Sequence, residues 1–200
     1  MDAKTLLDTL NHQIEKQSGL EENRNYLGIS KVGKCPRAAY KEYTNGIEIF
    51  PDSHRMCFAG YEQEGSVIEL LTNGGILTSI NSLNIEVVAP FDKRLKGHVD
   101  AVTKDKALIE IKSTTRRAFD NILESHRCSS EHFTQIQLYM RYGGWDTAFV
   151  IYRCRETYRH QVIKVPYISR TAERFENKAK MILEAIDRKE PPACECGRCE

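Results

Sequence analysis

Three charged residues lie among the apolar residues of two strand-like runs in the middle of the chain, on either side of the turn in GHVDAVTKDKALIEIKSTT (97–115). They are Asp100, Glu110 and Lys112. Side chains alternate between the two faces of a strand, so the isoleucines of LIEIKS share one face and Glu110 and Lys112 share the other. The simplest interpretation is an exposed ion pair, which is common and weak. Charges within an apolar strand are costly unless something uses them, so a functional role is the alternative.

The length of the turn decides whether Asp100 joins the face that carries Glu110. With a three-residue loop over 104–106, Asp100 lies opposite Glu110 and the two Cβ atoms are about 5 Å apart. A two-residue loop would put the carboxylates on opposite faces. Carboxylates on neighbouring strands about 5 Å apart repel unless a cation lies between them. Such oxygen ligands suit Mg²⁺ or Mn²⁺. Lys112 could then orient a water or stabilise charge on a phosphate.

A third carboxylate lies in a predicted helix, where Glu64 is in phase with an apolar stripe. The residues that helical spacing puts on this face are Cys57, Gly60, Tyr61, Glu64, Ile68 and Leu71. A glutamate on an inward face is rare without a partner. Glu64 is therefore either at the edge of the stripe or a supporting ligand of the same metal.

A later helix, EHFTQIQLYMRYGG, has Gln135 and Tyr139 four residues apart on one face. Ordinary helix packing accounts for this spacing when the pair is considered alone. Glutamine can also orient a phosphate or a water, and tyrosine can contact DNA.

Together these motifs resemble the PD-(D/E)XK nuclease superfamily, with Val99-Asp100 in place of Pro-Asp. Gly60 and Glu64 have the spacing of the Gly and His/Glu pair of its RecB-like members, whose Q-x-x-x-Y motif also follows the E-x-K strand. The resemblance implies a restriction-endonuclease-like fold. It implies a metal site formed by Glu64, Asp100, Glu110 and the backbone carbonyl of Ile111. It implies a catalytic set of Asp100, Glu110, Lys112, Gln135 and Tyr139.

Seven cysteines are an unusual feature of the sequence, and three of them fall in the last seven residues. The odd number and the lack of a secretory signal argue against a disulfide framework and favour a metal or cluster. An early Cys35 within S-x4-C-x-R, followed by Cys194, Cys196 and Cys199, resembles RecB-like nucleases that carry a 4Fe-4S cluster. These are the AddB nuclease domain and the CRISPR-adaptation exonucleases, fourth in the Cas series. The C-x-C-x2-C spacing is tighter than in those families, and four thiolates could equally bind Zn²⁺.

The helices and strands that must position these residues follow from the spacing of apolar residues and from the residues that begin or end such elements. The sequence predicts a short helix beginning at Pro36 and longer helices over 3–17, 54–73, 117–126, 130–142 and 170–189. It predicts strands over 83–90, 97–103, 107–113, 147–154 and 159–168. This order indicates an α/β fold with a central mixed sheet flanked by helices. We expect one domain over 1–200, with the two chain ends joined at the cysteines.

Composition limits the remaining functions. The 200 residues are 40% apolar and 28% charged, as in ordinary soluble proteins, and the net charge of +1 indicates no strong overall preference for a polyanion. No apolar run is long enough to span a membrane, and the N-terminus lacks a signal peptide, so we expect a cytoplasmic protein.

The motifs thus predict a metal-dependent DNA nuclease, and the resemblance to RecB-like exonucleases implies single-stranded ends as its substrate. Tyr139, Tyr142 or the Arg116–Arg117 pair could line its groove. The alternative is a DNA-binding or assembly subunit that cuts poorly and serves a CRISPR integration complex or a phage recombination system. A zinc-stabilised structural protein is a third interpretation.

Overall fold

A six-stranded mixed sheet with helices packed on it forms the core of the fold. The computed structural model describes residues 2–18, 20, 24–77 and 83–199. The strands are β1 (Leu27–Gly28), β2 (Leu83–Val88), β3 (Leu95–Val102), β4 (Leu108–Thr114), β5 (Thr147–Cys154) and β6 (His160–Pro166). The helices are α1 (Ala3–Gln17), α2 (Pro36–Asn45), α3 (Pro51–Asn73), α4 (Arg116–Ser125), α5 (Ser130–Gly143) and α6 (Ser169–Arg188), with a 3-10 turn over Ile29–Lys31.

The strand order explains why the sheet is mixed. Strand β3 pairs with β1 in parallel and with both β2 and β4 in antiparallel fashion. Strands β4 and β5 run parallel because α4 and α5 form the crossover between them, and β5 returns antiparallel as β6. The mixed sheet flanked by helices, predicted from the sequence, is therefore confirmed.

The turn between β3 and β4 has the three-residue loop that the sequence predicted as one of two options. The Thr103 N–H donates to the Ala107 carbonyl at 2.8 Å, and the Lys106 N–H donates back to the Thr103 carbonyl at 3.0 Å. Lys106 takes the left-handed conformation with φ 60°, which lets a three-residue loop close. This register aligns Ala101 with Ile109, so the next step along the ladder brings Asp100 to Glu110.

Two apolar clusters hold the sheet to its helices. The larger cluster includes Leu138 of α5, Ile182 of α6 and Val150 of β5. The smaller one joins Val67 of α3 to Ile109 and Ile111 of β4. Because helices cover the sheet at β4, Glu110 is also buried, with 1% of its surface exposed.

Helix α3 differs from its sequence prediction in where its inward face lies. It begins at Pro51, three residues before the predicted start, with proline in the first turn. Val67 is the residue buried against β4, whereas Tyr61, predicted on the inward stripe, is 52% exposed. Helix α3 contacts both β4 and α1, and His54 near its start is hydrogen-bonded at 2.6 Å to Ser18, which follows α1. Within the described part of the chain, no helix is both long and apolar enough to cross a bilayer.

Candidate active site

Glu110 is the centre of a group of polar side chains at the point where β3 and β4 part. Its Oε1 accepts hydrogen bonds from Lys112 Nζ at 2.5 Å and from Gln135 Nε2 at 2.8 Å. Its Oε2 is buried and has no hydrogen-bond partner among the described residues. A buried carboxylate oxygen left without a donor is costly, and a cation would satisfy it.

Asp100 faces the same point from β3. Its Oδ2 accepts a hydrogen bond from the Ile111 N–H at 2.6 Å. The Asp100 side chain thus takes the place of a backbone carbonyl of β3 where the pairing of β3 with β4 ends. Burial, followed by repulsion from Glu110, raises the pKa of Asp100 well above its usual range, although Lys112 acts in the opposite direction. Burial and Glu110 likewise raise the pKa of Glu64. The three carboxylates therefore repel one another, as metal-ligand carboxylates do without their ion.

Lys112 supplies the positive charge of this group, and its side chain is 26% exposed. Burial disfavours its ammonium form, but the carboxylates of Glu110 and Asp100 outweigh this cost and raise the Lys112 pKa above the ordinary value. Lys112 is therefore a cation at neutral pH, fitted to stabilise negative charge that enters the cleft.

Residues of α3 and β4 line an open cleft in front of this group: Cys57, Gly60, Tyr61, Glu64, Ile111, Lys112 and Ser113. We call it the carboxylate cleft and include Asp100 and Glu110 in it. It brings together the two strand carboxylates, the helix glutamate and the lysine of the sequence prediction.

Gln135 and Tyr139 approach from α5, and both are almost fully buried. The Gln135 amide lies between Glu110 Oε1 and the Tyr139 hydroxyl, 3.3 Å from the latter. Tyr139 is 2% exposed, and burial raises the pKa of its phenol. Tyr139 therefore acts inside the wall of the cleft and offers no exposed ring to a DNA base.

The other groove residues suggested by the sequence lie apart from the cleft lining. Tyr142 packs edge-on against Phe91, with ring centroids 6.3 Å apart, in a depression that also contains Glu176. Arg116 and Arg117 are exposed at the start of α4, where Arg116 lies 3.9 Å from Asp120.

His132 is a neighbour of the site that sequence reasoning missed. It lies three residues before Gln135 on α5, and its Nδ1 is 2.8 Å from the Tyr152 hydroxyl. Tyr152 is the β5 partner of Lys112. Burial and the positive charge of Lys112 lower the pKa of His132 to about 4, so the ring is neutral at pH 7. Helical spacing from Gln135 is the signal that could have found it.

The four cysteines named from the sequence form a second site, which we call the cysteine group: Cys35, Cys194, Cys196 and Cys199. Their sulfur atoms all lie within 4.8 Å of one another. Backbone N–H groups point at these sulfurs, with the Glu195 N–H 3.3 Å from Cys35 Sγ. Donation from the Cys199 N–H is the main cause that lowers the pKa of Cys194 to about 6, which favours the metal-binding thiolate.

Few contacts attach the C-terminal tail to the rest of the chain. Arg37 Nε donates to the Pro192 carbonyl at 2.8 Å, and Lys178 Nζ lies 3.8 Å from the Glu195 carboxylate. These contacts bring the two ends of the chain to one place, where the cysteine group could join them.

Comparison with solved structures finds the same architecture in proteins that are named exonucleases. The chain is similar to the alkaline exonuclease LHK-Exo from Laribacter hongkongensis, with 16% identity, a TM-score of 0.65 and coverage of 82% of this chain and 89% of that one. LHK-Exo in complex with dAMP gives a TM-score of 0.66 at 14% identity over the same shares of the two chains. This chain has the fold of these exonucleases.

A phage-related exonuclease from Haemophilus somnus 129PT also matches, at 11% identity and a TM-score of 0.54, over 82% of this chain and 94% of that one. No protein-family model matches the sequence, and no curated protein matches it. The likeness is one of fold, and it agrees with the restriction-endonuclease-like core that the sequence resemblance implies.

Proposed function

We propose that this protein is a metal-dependent deoxyribonuclease that hydrolyses phosphodiester bonds at DNA ends, with single-stranded ends as its preferred substrate. The observation that carries the proposal is the carboxylate cleft itself. A buried, unsatisfied oxygen of Glu110, two carboxyls of raised pKa and a charged lysine lie together beside one open cleft. The names of the structural neighbours support the same class of enzyme.

The donors of the cleft fit a hard divalent cation. Glu64, Asp100 and Glu110 would hold Mg²⁺ or Mn²⁺, together with the backbone carbonyl of Ile111, and all are oxygen ligands. When bound, such a metal supplies a more acidic water and polarises a phosphoryl oxygen.

The protein's own groups would position and neutralise the substrate. Lys112 would bind a non-bridging oxygen of the scissile phosphate and stabilise the charge that grows on it. Gln135 would hold Glu110 in its orientation from behind, since its amide donates to Oε1. Tyr139 would in turn fix the Gln135 amide.

The cysteine group would hold a second, structural metal. The resemblance to RecB-like nucleases implies a 4Fe-4S cluster at Cys35, Cys194, Cys196 and Cys199. Zn²⁺ is the alternative, and the sulfur separations favour it. Thiolates at about 2.3 Å from a tetrahedral ion lie about 3.8 Å apart, near the observed spacing of at most 4.8 Å. A four-iron cluster binds each thiolate to a different iron and needs them farther apart. Metal analysis with a visible absorption spectrum separates the two.

The wider role that we propose is that of a single-domain cytoplasmic enzyme over 1–200, working with proteins of CRISPR integration or recombination. A DNA-binding subunit of such an assembly that cuts poorly remains the second candidate. Intact binding without metal-dependent cleavage would favour that candidate.

The test is degradation of end-labelled single-stranded DNA with Mn²⁺ or Mg²⁺, using substrates blocked at the 5′ or the 3′ end. Lys112→Ala should lower the cleavage rate by about 100-fold or more, because the phosphate loses its charge partner. Lys104→Ala is the matched control, since Lys104 is an exposed lysine in the loop of the same hairpin. If Lys112→Ala cleaves at the wild-type rate, the mechanism is wrong.

A further inference from the structure

Tyr61 is a large aromatic residue with no place in the core. It lies three residues before Glu64 on α3, lines the carboxylate cleft and is 52% exposed. Partial burial is the main cause that raises the pKa of its phenol, and the charges that act on it further include Arg24, Glu64 and Tyr26. A second aromatic residue lies beside Lys96, which is four residues before Asp100 on the same face of β3.

Tyr26 is that second residue, and cations lie over its ring. The Arg24 guanidinium is 5.6 Å from the ring centroid, and the Lys96 ammonium is 5.1 Å from it. Lys96 reaches this position because β1 pairs with β3, with Gly28 opposite Lys96. Lys96 also pairs with Glu86 at 2.9 Å, so an acidic group adjoins one of the two cations.

Tyr61 is exposed and Tyr26 is partly exposed, and tyrosine rings open to solvent beside cations are suited to bind a single nucleic-acid strand. Bases stack on aromatic faces regardless of sequence, and nearby cations bind the phosphates. We infer that Tyr61 and Tyr26, with Arg24 and Lys96, form a stacking platform along which the unpaired strand leaves the carboxylate cleft. This inference rests on the proposed function only in that the scissile phosphate of the same strand lies in that cleft.

The platform gives a reason for a preference between substrates. The face of a base within a duplex is already stacked on its neighbours, so it is not available to an isolated tyrosine. The bases of an unpaired strand need not be removed from a duplex before they stack on tyrosine, so binding costs only the ordering of the flexible strand. Tyr61 would take the base nearest the cleft, and Tyr26 a base farther along.

The experiment measures equilibrium binding without cleavage. Fluorescent 12-nucleotide dT is titrated in EDTA, and the same strand with abasic residues is the second probe. Tyr61→Ala and Tyr26→Ala should each weaken dT binding about 10-fold, whereas Tyr61→Phe should remain within about 2-fold of wild type. Wild type and Tyr61→Ala should bind the abasic strand equally, because no base is left to stack.

Tyr158→Ala is the matched control, since Tyr158 is 58% exposed and has Arg153 4.8 Å from its ring centroid, but does not line the cleft. It should bind dT as wild type does, and thermal melting of every variant tests its folding. Unchanged dT binding by a folded Tyr61→Ala protein overturns the platform, even if the enzyme cleaves DNA. A wild type that stacks dT through Tyr61 but never cleaves overturns the nuclease proposal and leaves the platform intact.

Discussion

The carboxylate cleft and the cysteine group are both candidate metal sites, but the protein positions them by different means. In the cleft, Glu110 is 1% exposed and Gln135 5%, and the strand register fixes their neighbours. In the cysteine group, Cys196 is exposed, and the tail contacts the body through the Pro192 carbonyl and through Glu195. Burial and strand pairing fix the residues of the first site, whereas we expect a bound ion to hold the second site together.

The two sites also differ in how the folded chain shifts the pKa values of their ligand side chains. The raised pKa values of Asp100 and Glu64 mean that the folded chain disfavours their charges when no cation is present. In the cysteine group the shifts are opposed: backbone donors lower the pKa of Cys194 to about 6, whereas the hydrogen bond with Cys196 is the main cause that raises the pKa of Cys199. The repelling charges of the cleft therefore lower the stability of the fold, whereas a metal bound at the cysteine group would raise it.

The largest effect that we expect comes from Asp100→Asn. Cleavage should fall about 1000-fold, because a charged ligand of the metal is lost. Stability in EDTA should instead rise by about 1 kcal/mol, because one of three repelling carboxylates becomes neutral while its oxygen can still accept the Ile111 N–H. Denaturant unfolding in EDTA and a cleavage assay with Mn²⁺ measure the two effects on one preparation. A loss of stability would contradict the view that the cleft is strained without its ion.

The pH dependence of this stability gain tests its cause. Because the Asp100 pKa is raised on folding, the folded state holds the proton more tightly, and the penalty is fully present above the folded pKa. It fades as pH falls toward the unfolded value of 3.8. The advantage of Asp100→Asn over wild type should thus be larger at pH 7 than at pH 5, as measured by urea unfolding at both. An equal advantage would assign the gain to packing.

The second effect concerns the cysteine group. Cys196→Ser should abolish stoichiometric metal binding there and lower the free energy of unfolding by about 3 kcal/mol, because the ion no longer joins distant parts of the chain. In a domain of this size, that corresponds to a fall in melting temperature of about 10 °C. Cleavage at 25 °C should stay within about 3-fold of wild type. Metal analysis, thermal melting and the cleavage assay are the measurements.

Cys128→Ser is the control for this variant, because burial raises the pKa of Cys128 and it lies outside the cysteine group. It should retain the metal. A Cys196→Ser protein that melts with wild type but has lost cleavage would reverse the assignment of roles between the two sites.

The sequence predicted the part of the cleft that depends on local rules. Strand alternation gave Glu110 and Lys112 a shared face, and loop length aligned Asp100 with Glu110, because both follow from neighbouring residues. Helical spacing predicted the Gln135 and Tyr139 pair. Helical spacing predicted a buried Tyr61, which is instead exposed, because spacing alone does not determine how closely each residue of α3 approaches the sheet. The sequence did not indicate a role for Tyr26, because only the pairing of β1 with β3 brings Tyr26 near Lys96.

The smallest effect tests whether packing alone holds the cleft in shape. A Cβ at Gly97 would lie 2.6 Å from the Tyr139 hydroxyl and 3.0 Å from its Cε1. Gly97→Ala should therefore displace Tyr139, and through it Gln135, at a cost of about 1–3 kcal/mol in stability and about 10-fold in cleavage rate. Metal binding at the cysteine group should be unaffected. Urea unfolding and the cleavage assay measure both losses.

A double-mutant cycle with Tyr139→Phe identifies the cause of that loss. Removing the phenol oxygen takes away the nearest clash, so Gly97→Ala should cost less stability in the Tyr139→Phe background than in the wild type. The cleavage rate should not recover with it, because the hydrogen bond from the Gln135 amide to the Tyr139 hydroxyl is lost in Gly97→Ala and in the double variant. Additive stability losses would mean that the alanine acts on the β3 backbone instead. The rigidity of the cleft would then come from the strands rather than from the helix packed on them.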